Sequence, residues 1–283
     1  MTLSIKSHFH KFFVTFLLIV GSLLHCYAQT DTVVINNQKI ACSVKEITPD
    51  AVKYTFPGED VINSVYKNTV QKIIFKSGRV QTFAESTSYK PVLNVMDYPN
   101  VTTTSVESEV KGLYKLGDVS AKAKGTTTLS NQERVKERAY RKFKIQAAML
   151  GANVIYLTNQ RTEGNKYGYY NSSTAETNLT GIAYSNMVPD FEAFKKLIGN
   201  QTNFTAFQEY ELDASDSDVS KSNVTKSFKI TGVSNDGGIV NIEGKLEGED
   251  NVTTFQLANF NTSAFNIAYR YKGSAYSFAV KFQ

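Results

Sequence analysis

The 283-residue sequence contains no tryptophan, five prolines, two cysteines and three histidines, and where the scarce residues fall matters more than how few they are. His8, His10, His25 and Cys26 all lie within the first 28 residues. That stretch has the three parts of an export signal: basic Lys6 and Lys11, an uncharged apolar run from Phe12 to Leu24, and Cys26-Tyr27-Ala28 ahead of polar Gln29-Thr30-Asp31. Cleavage between Ala28 and Gln29 is therefore predicted, with residues 1–28 as signal peptide. The apolar run is shorter than the roughly 20 residues a membrane-spanning helix needs. No transmembrane helix is expected in the mature chain. Acylation at Cys26, the alternative, would want a small residue where His25 stands.

With the signal removed, the chain has no histidine and one cysteine, Cys42. Ser-His-Asp and Cys-His nucleophiles need an imidazole base, and zinc and most transition-metal sites need His or several Cys. A lone cysteine excludes an intrachain disulfide in an oxidising compartment. Carboxylate chemistry, lysine chemistry and oxygen-ligand binding of calcium remain, and binding without catalysis is the simplest reading. No enzyme activity and no cofactor are expected. The signal removes two of the 31 basic side chains and none of the 26 acidic ones, so the charge balance moves toward neutrality. Nucleic acid is not an expected partner.

What the sequence does have is patterned apolar residues, and these divide it into three segments. The fold class predicted is α+β, mostly β. Residues 29–88 alternate at Ile40, Cys42 and Val44, then Val52, Tyr54 and Phe56, then Ile73 and Phe75, with turn signals at Asn36-Asn37, Pro49-Asp50, Pro57-Gly58 and Ser77-Gly78. Short half-buried strands in so small a segment point to a closed, barrel-like sheet with Cys42 buried inside. Residues 89–105 read as a linker.

Residues 106–186 read as an α+β domain. A strand-like stretch lies between Val110 and Ala123, and Ser130 with Glu133 has the spacing of a capping box. A helix over about 131–150 places Val135, Ala139, Phe143, Ala147 and Leu150 on one stripe, and Gly151 is placed to end it. Lys136, Arg138, Arg141, Lys142 and Lys144 read as its solvated face. A strand from Asn153 to Leu157, a polar loop from about Asn159 to Asn178 and a short strand at Gly181–Tyr184 follow.

Residues 187–283 open with a helix from Phe191 to Ile198, capped by Asp190 and ended by Gly199, and continue as antiparallel β-structure. Asp236-Gly237-Gly238 marks one hairpin. In the last hairpin Phe265, Ile267, Tyr269 and Tyr271 share a face with Tyr276, Phe278, Val280 and Phe282, which suggests a sandwich or a sheet packed on the preceding domain. The acidic stretch Glu211–Asp218 offers oxygen ligands but lacks the glycine and final glutamate of a calcium-binding helix–loop–helix. It reads as a solvated loop, with calcium as the alternative.

Two resemblances accompany this. The pattern Asp31–Ile35, Ile40, Val44–Tyr54 and Val70–Gly78 resembles a small N-terminal β-domain found in many secreted proteins of Gram-negative bacteria. Leu116-Gly-Asp-Val119, the helix end Ala147–Gly151 with Asn153–Ile155, and Gly181–Tyr184 resemble a superfamily of small α+β domains. That superfamily includes oligomers described loosely as heavy-metal binding and a lipoprotein that senses envelope stress. Residues 106–186 contain no Cys or His, so the resemblance implies a fold and carries no ligands across. The expectation overall is an exported cell-envelope protein, periplasmic, associated with the outer membrane or secreted. It would act without catalysis, through other envelope proteins, as sensor, adaptor or assembly component; a homo-oligomer is compatible with this. A glycan- or calcium-binding protein is the alternative, and a carboxylate-based hydrolase the second.

Overall fold

The computed structural model describes residues 30–35, 38–83, 89–167 and 172–282, so the signal peptide, the Ala28/Gln29 cleavage position and the Asn36-Asn37 turn lie outside the described residues. The chain is α+β and mostly β. Among the described residues no helix is long and apolar enough to cross a membrane.

The first unit is a six-stranded antiparallel sheet: β1 (Asp31–Ile35), β2 (Gln38–Ile47), β3 (Ala51–Thr55), β4 (Asn63–Tyr66), β5 (Val70–Ile74) and β6 (Val80–Thr82), in the order β4-β3-β2-β1-β5-β6. β2 is its spine. Its first half pairs with β1 and its second with β3, with a bulge at Lys45 between Val44 and Glu46. The buried Asp31 carboxylate pins that bend, accepting from Val44 N and Lys76 N at 2.8 Å each. Val33, Cys42, Val52, Val70 and Ile73 form the core. Cys42 is fully buried and unpaired, and burial raises its thiol pKa. The sheet differs from the closed barrel expected: the order is linear, and β4 and β6 end it without pairing to each other among the described residues.

The second unit is a four-stranded sheet, β7-β9-β10-β8, under one long helix. Its strands are β7 (Thr102–Thr104), β8 (Tyr114–Lys124), β9 (Val154–Glu163) and β10 (Glu176–Ser185), and the helix is α1 (Gln132–Met149). The segment expected as a linker belongs to this unit. Val92, Val95 and Val101 are buried in its core, and β7 pairs parallel with β9. The expected loop 159–178 is strand at both ends: β9 runs to Glu163 and β10 starts at Glu176, and the two pair as a hairpin. The helix cap is Asn131, whose Oδ1 accepts from Arg134 N at 3.0 Å, rather than Ser130, whose Oγ accepts from Thr127 N. Small residues let helix and sheet close together. A Cβ on Gly181 would lie 2.8 Å from Phe143 and 2.5 Å from the Tyr156 carbonyl.

The third unit begins with α2 (Phe191–Ile198), capped by Asp190 Oδ1 on Ala193 N at 2.9 Å and ended by Gly199 at φ +54°. It continues as β11 (Asn203–Leu212), β12 (Ser220–Asp236), β13 (Ile239–Leu246), β14 (Thr254–Phe260), β15 (Ala264–Tyr271) and β16 (Ser274–Lys281). β11 pairs antiparallel with both β12 and β16, so these strands form a closed barrel rather than a sandwich. The packing on the preceding unit is as expected, through Tyr210, Leu212, Ala268 and Ala275. Phe204, Phe228, Phe255, Phe265 and Phe278 fill it. Phe194 of α2 packs on Phe260 and Phe265 at one end, ring centroids 5.4 Å apart in each pair.

Candidate functional site

The predicted apolar stripe of α1 is where expected: Ala139, Phe143 and Ala147 are fully buried on the sheet. Its basic face is solvated only in part: the Lys136 and Arg141 side chains are 38% and 41% exposed, as predicted, but Lys142 is buried. Lys142 is 5% exposed, because the turn after β11 lies over it. Ile145, Ala148 and Met149 are buried too, in a core the helix shares with Val95 and Val101 and with Tyr210, Leu212, Ala268 and Ala275 of the barrel. The Lys142 amine donates to the Ala214 carbonyl and, at 3.4 Å, to that of Asp213. Burial pulls its pKa down, opposed in part by Asp213 and Asp216. Arg138 Nε donates to Ser217 Oγ at 3.1 Å, and Arg141 meets Asp218 at 2.6 Å.

The stretch Glu211–Asp218 ends β11 and opens the turn to β12. Ala214, Ser215, Asp216 and Asp218 are exposed, as expected of a solvated loop, while Ser217 and the Asp213 and Ala214 carbonyls meet the helix. Asp213 Oδ1 is taken by its own neighbour, accepting from Ser215 N and Oγ at 2.8 and 2.7 Å. Among the described residues no group of three or more His, Cys, Asp or Glu could hold a metal ion. A groove of about 740 Å³ runs along this seam, lined by Arg134, Arg138 and Arg141 on one side and Ser215 to Ser220 on the other. A buried lysine under a loop is not legible in spacing alone. The signal available was that Ile145, Ala148 and Met149 are apolar off the main stripe, which marks a helix end covered on more than one face.

The first unit presents a different surface. The segment between β3 and β4, residues 56–62, exposes Phe56, Val61 (66%) and Ile62 (63%). Val80 on β6 is exposed as well. Where this unit meets the second, the Asn68 amide donates to three carbonyls, those of Ser108, Glu109 and Lys111 at 3.4, 3.1 and 2.6 Å.

The barrel end opposite α2 is lined differently from the rest of its interior. A register shift between Ala206 and Gln208 in β11 turns Tyr210 and Leu212 outward into the core of the second unit. Alternation then sends Glu209 and Glu211 inward. Lys226 of β12 reaches Glu209 at 3.1 Å and Glu249 at 3.3 Å, with its ammonium 4.9 Å from the Phe278 ring centroid. Burial lowers the Lys226 pKa, but Glu209 and Glu249 outweigh it, and the net direction is up. Tyr269 stacks on Tyr276 with centroids 5.0 Å apart. Its hydroxyl is buried with no partner in hydrogen-bonding geometry. Burial first, then the Glu249 carboxylate, within reach of the hydroxyl but out of good hydrogen-bonding alignment, with Tyr276 and Glu209 adding to them, push the Tyr269 pKa far up.

No family model matches the sequence, and no curated protein or solved structure matches it either. The two resemblances drawn from residues 31–83 and 106–186 accordingly contribute no site residue.

Proposed function

We propose that this is an exported cell-envelope protein that acts by binding other envelope proteins, as sensor, adaptor or assembly component, without catalysis. The observation that supports this reading best is the 56–62 loop of the first unit, where Val61 and Ile62 are each more than three-fifths exposed. Phe56, Val61 and Ile62 fall within one seven-residue segment, and clustered rather than single exposed apolar side chains are what mark a contact surface. Cleavage after Ala28 and residence in the periplasm, at the outer membrane or outside the cell belong to the same proposal.

The test is site-specific photo-crosslinking in cells. A crosslinker at Ile62 is expected to trap a discrete adduct in the envelope fraction, and one at exposed Asn200 is expected to trap none. The adduct should vanish in a Val61→Lys, Ile62→Lys variant that keeps its thermal transition. Equal adducts at both positions, or recovery of the protein in the cytoplasm with Met1 intact, would overturn the reading.

A further inference from the structure

The barrel end lined by Glu209, Glu211 and Glu249 stands apart from the 56–62 loop and does not depend on it. It holds three carboxylates and one ammonium, that of Lys226, beside the phenolic rings of Tyr269 and Tyr276. The side chains of Glu209 and Glu249 are 17% and 21% exposed, so the charges sit largely out of water yet keep a route to it. Such groups persist only where their charge is answered. Burial, and after it the hydrogen bond to Glu211, raise the pKa of the Tyr276 phenol.

An ammonium has three N–H donors. Lys226 places its ammonium against two acceptors, Glu209 and Glu249, and over the Phe278 ring. The third acceptor at this place is the hydroxyl oxygen of Tyr269, a residue 7% exposed. The hydroxyl lies within reach of Glu249 without a well-aligned hydrogen bond to it and feels Glu209 as well, the same two carboxylates that Lys226 meets. Two carboxylates, a hydroxyl oxygen and an aromatic face together match a primary ammonium better than a metal ion. Calcium wants six to eight oxygens, and an aromatic face offers it none.

We infer that this end of the barrel is a binding site for a small primary amine, with the ammonium of Lys226 standing where the ligand's would sit. Lys226 is then an internal competitor. A ligand that enters displaces it into solvent and uses all three acceptors, of which Lys226 meets two. Because the resident lysine holds the site closed for most of the time, apparent affinity is lowered by the fraction of molecules in which it has moved aside.

The experiment follows the ring signals of ¹³C-labelled tyrosine in the mature chain during titration with n-butylammonium chloride, which has the length and charge of a lysine side chain. n-Butanol and calcium chloride are run in parallel. Saturable shifts at Tyr269 and Tyr276 are expected with the amine alone. Lys226→Ala is expected to tighten amine binding by at least about tenfold, since the competitor is gone. Glu249→Gln is expected to weaken it several-fold. Tyr269→Phe is expected to weaken it without lowering the thermal midpoint, because it removes a hydroxyl that makes no well-aligned hydrogen bond. The inference is overturned by a wild-type protein with no saturable response to the amine, by n-butanol matching the amine, or by calcium binding more tightly. It is also overturned if Glu249→Gln leaves amine affinity unchanged. Should Lys226→Ala fail to fold, the wild-type, Glu249→Gln and Tyr269→Phe titrations still decide.

Discussion

The chain builds two six-stranded antiparallel sheets, and only the second closes. Strand number is therefore not what decides closure. The first sheet ends in β4, four residues long, and β6, three residues long, whereas β11 has ten residues and β12 seventeen. Closing a sheet requires tilted strands with staggered registers, and three- or four-residue strands are too short to tilt and still pair along both edges. Interior volume differs as well. The first core is filled by Val33, Cys42, Val52, Val70 and Ile73, the barrel by five phenylalanines. Bends complete the contrast. β12 shifts register between Ile230 and Gly232, and Gly244 of β13 lies where a Cβ would come within 2.5 Å of the Lys229 carbonyl. A small barrel needs such corners.

The contrast can be broken by mutation. The largest effect should come from Phe265→Ala, which empties the centre of the barrel and is expected to cost about 3–5 kcal/mol in denaturant melts. A cost below that of Val52→Ala in the open sheet would mean the aromatic filling is not what supports closure. Next comes Lys142→Ala at the seam. It removes a buried stem and leaves the Ala214 carbonyl without its donor, for an expected loss of about 1–3 kcal/mol. Because burial lowers the pKa of Lys142, the folded state releases this proton before the unfolded state does. Wild-type stability should then gain as pH rises from the lowered value toward the ordinary 10.5, a gain absent in Lys142→Ala.

Arg141→Ala should cost less, at most about 1 kcal/mol, since the ion pair with Asp218 is largely exposed. Val61→Lys should change stability by less than about 0.5 kcal/mol, because the side chain is already in water. Smallest of all is the expected reaction of Cys42. A thiol reagent should label it only after denaturation, and native labelling at the denatured rate would show that the open sheet exposes its core.

These predictions follow what the sequence could and could not convey. Local patterns were readable: the Phe143 stripe, the α2 boundaries at Asp190 and Gly199, and the alternation of Phe265–Tyr271 against Tyr276–Phe282 rest on neighbours within a few residues. Asn131 replaced Ser130 as cap because two adjacent side chains could both serve, and spacing does not choose between them. Closure of β11 on β16, the recruitment of residues 89–105 into the second sheet and the burial of Lys142 join residues far apart in the chain. No periodicity reports such contacts. The Glu209–Lys226–Glu249 cluster escaped for a related reason. A bulge in β11 reversed which residues face inward, and a bulge leaves no mark on an alternating pattern until the partner strand is known.

The pairing of β11 with β16 also sets an order of events during synthesis. Each earlier barrel strand meets its neighbour as soon as it emerges, but the seam that closes the ring joins Thr205 to Lys281 and must wait for β16. Until then the phenylalanines of β11 to β15 line an open, curling ribbon with two unpaired edges. Among the strand pairings this one closes the longest stretch of chain, and it carries the largest loop-closure entropy of them. The wait for it is also the interval in which a holding factor has the most to protect, whereas the first sheet, whose β1–β5 pairing spans far less chain, is finished well before it begins.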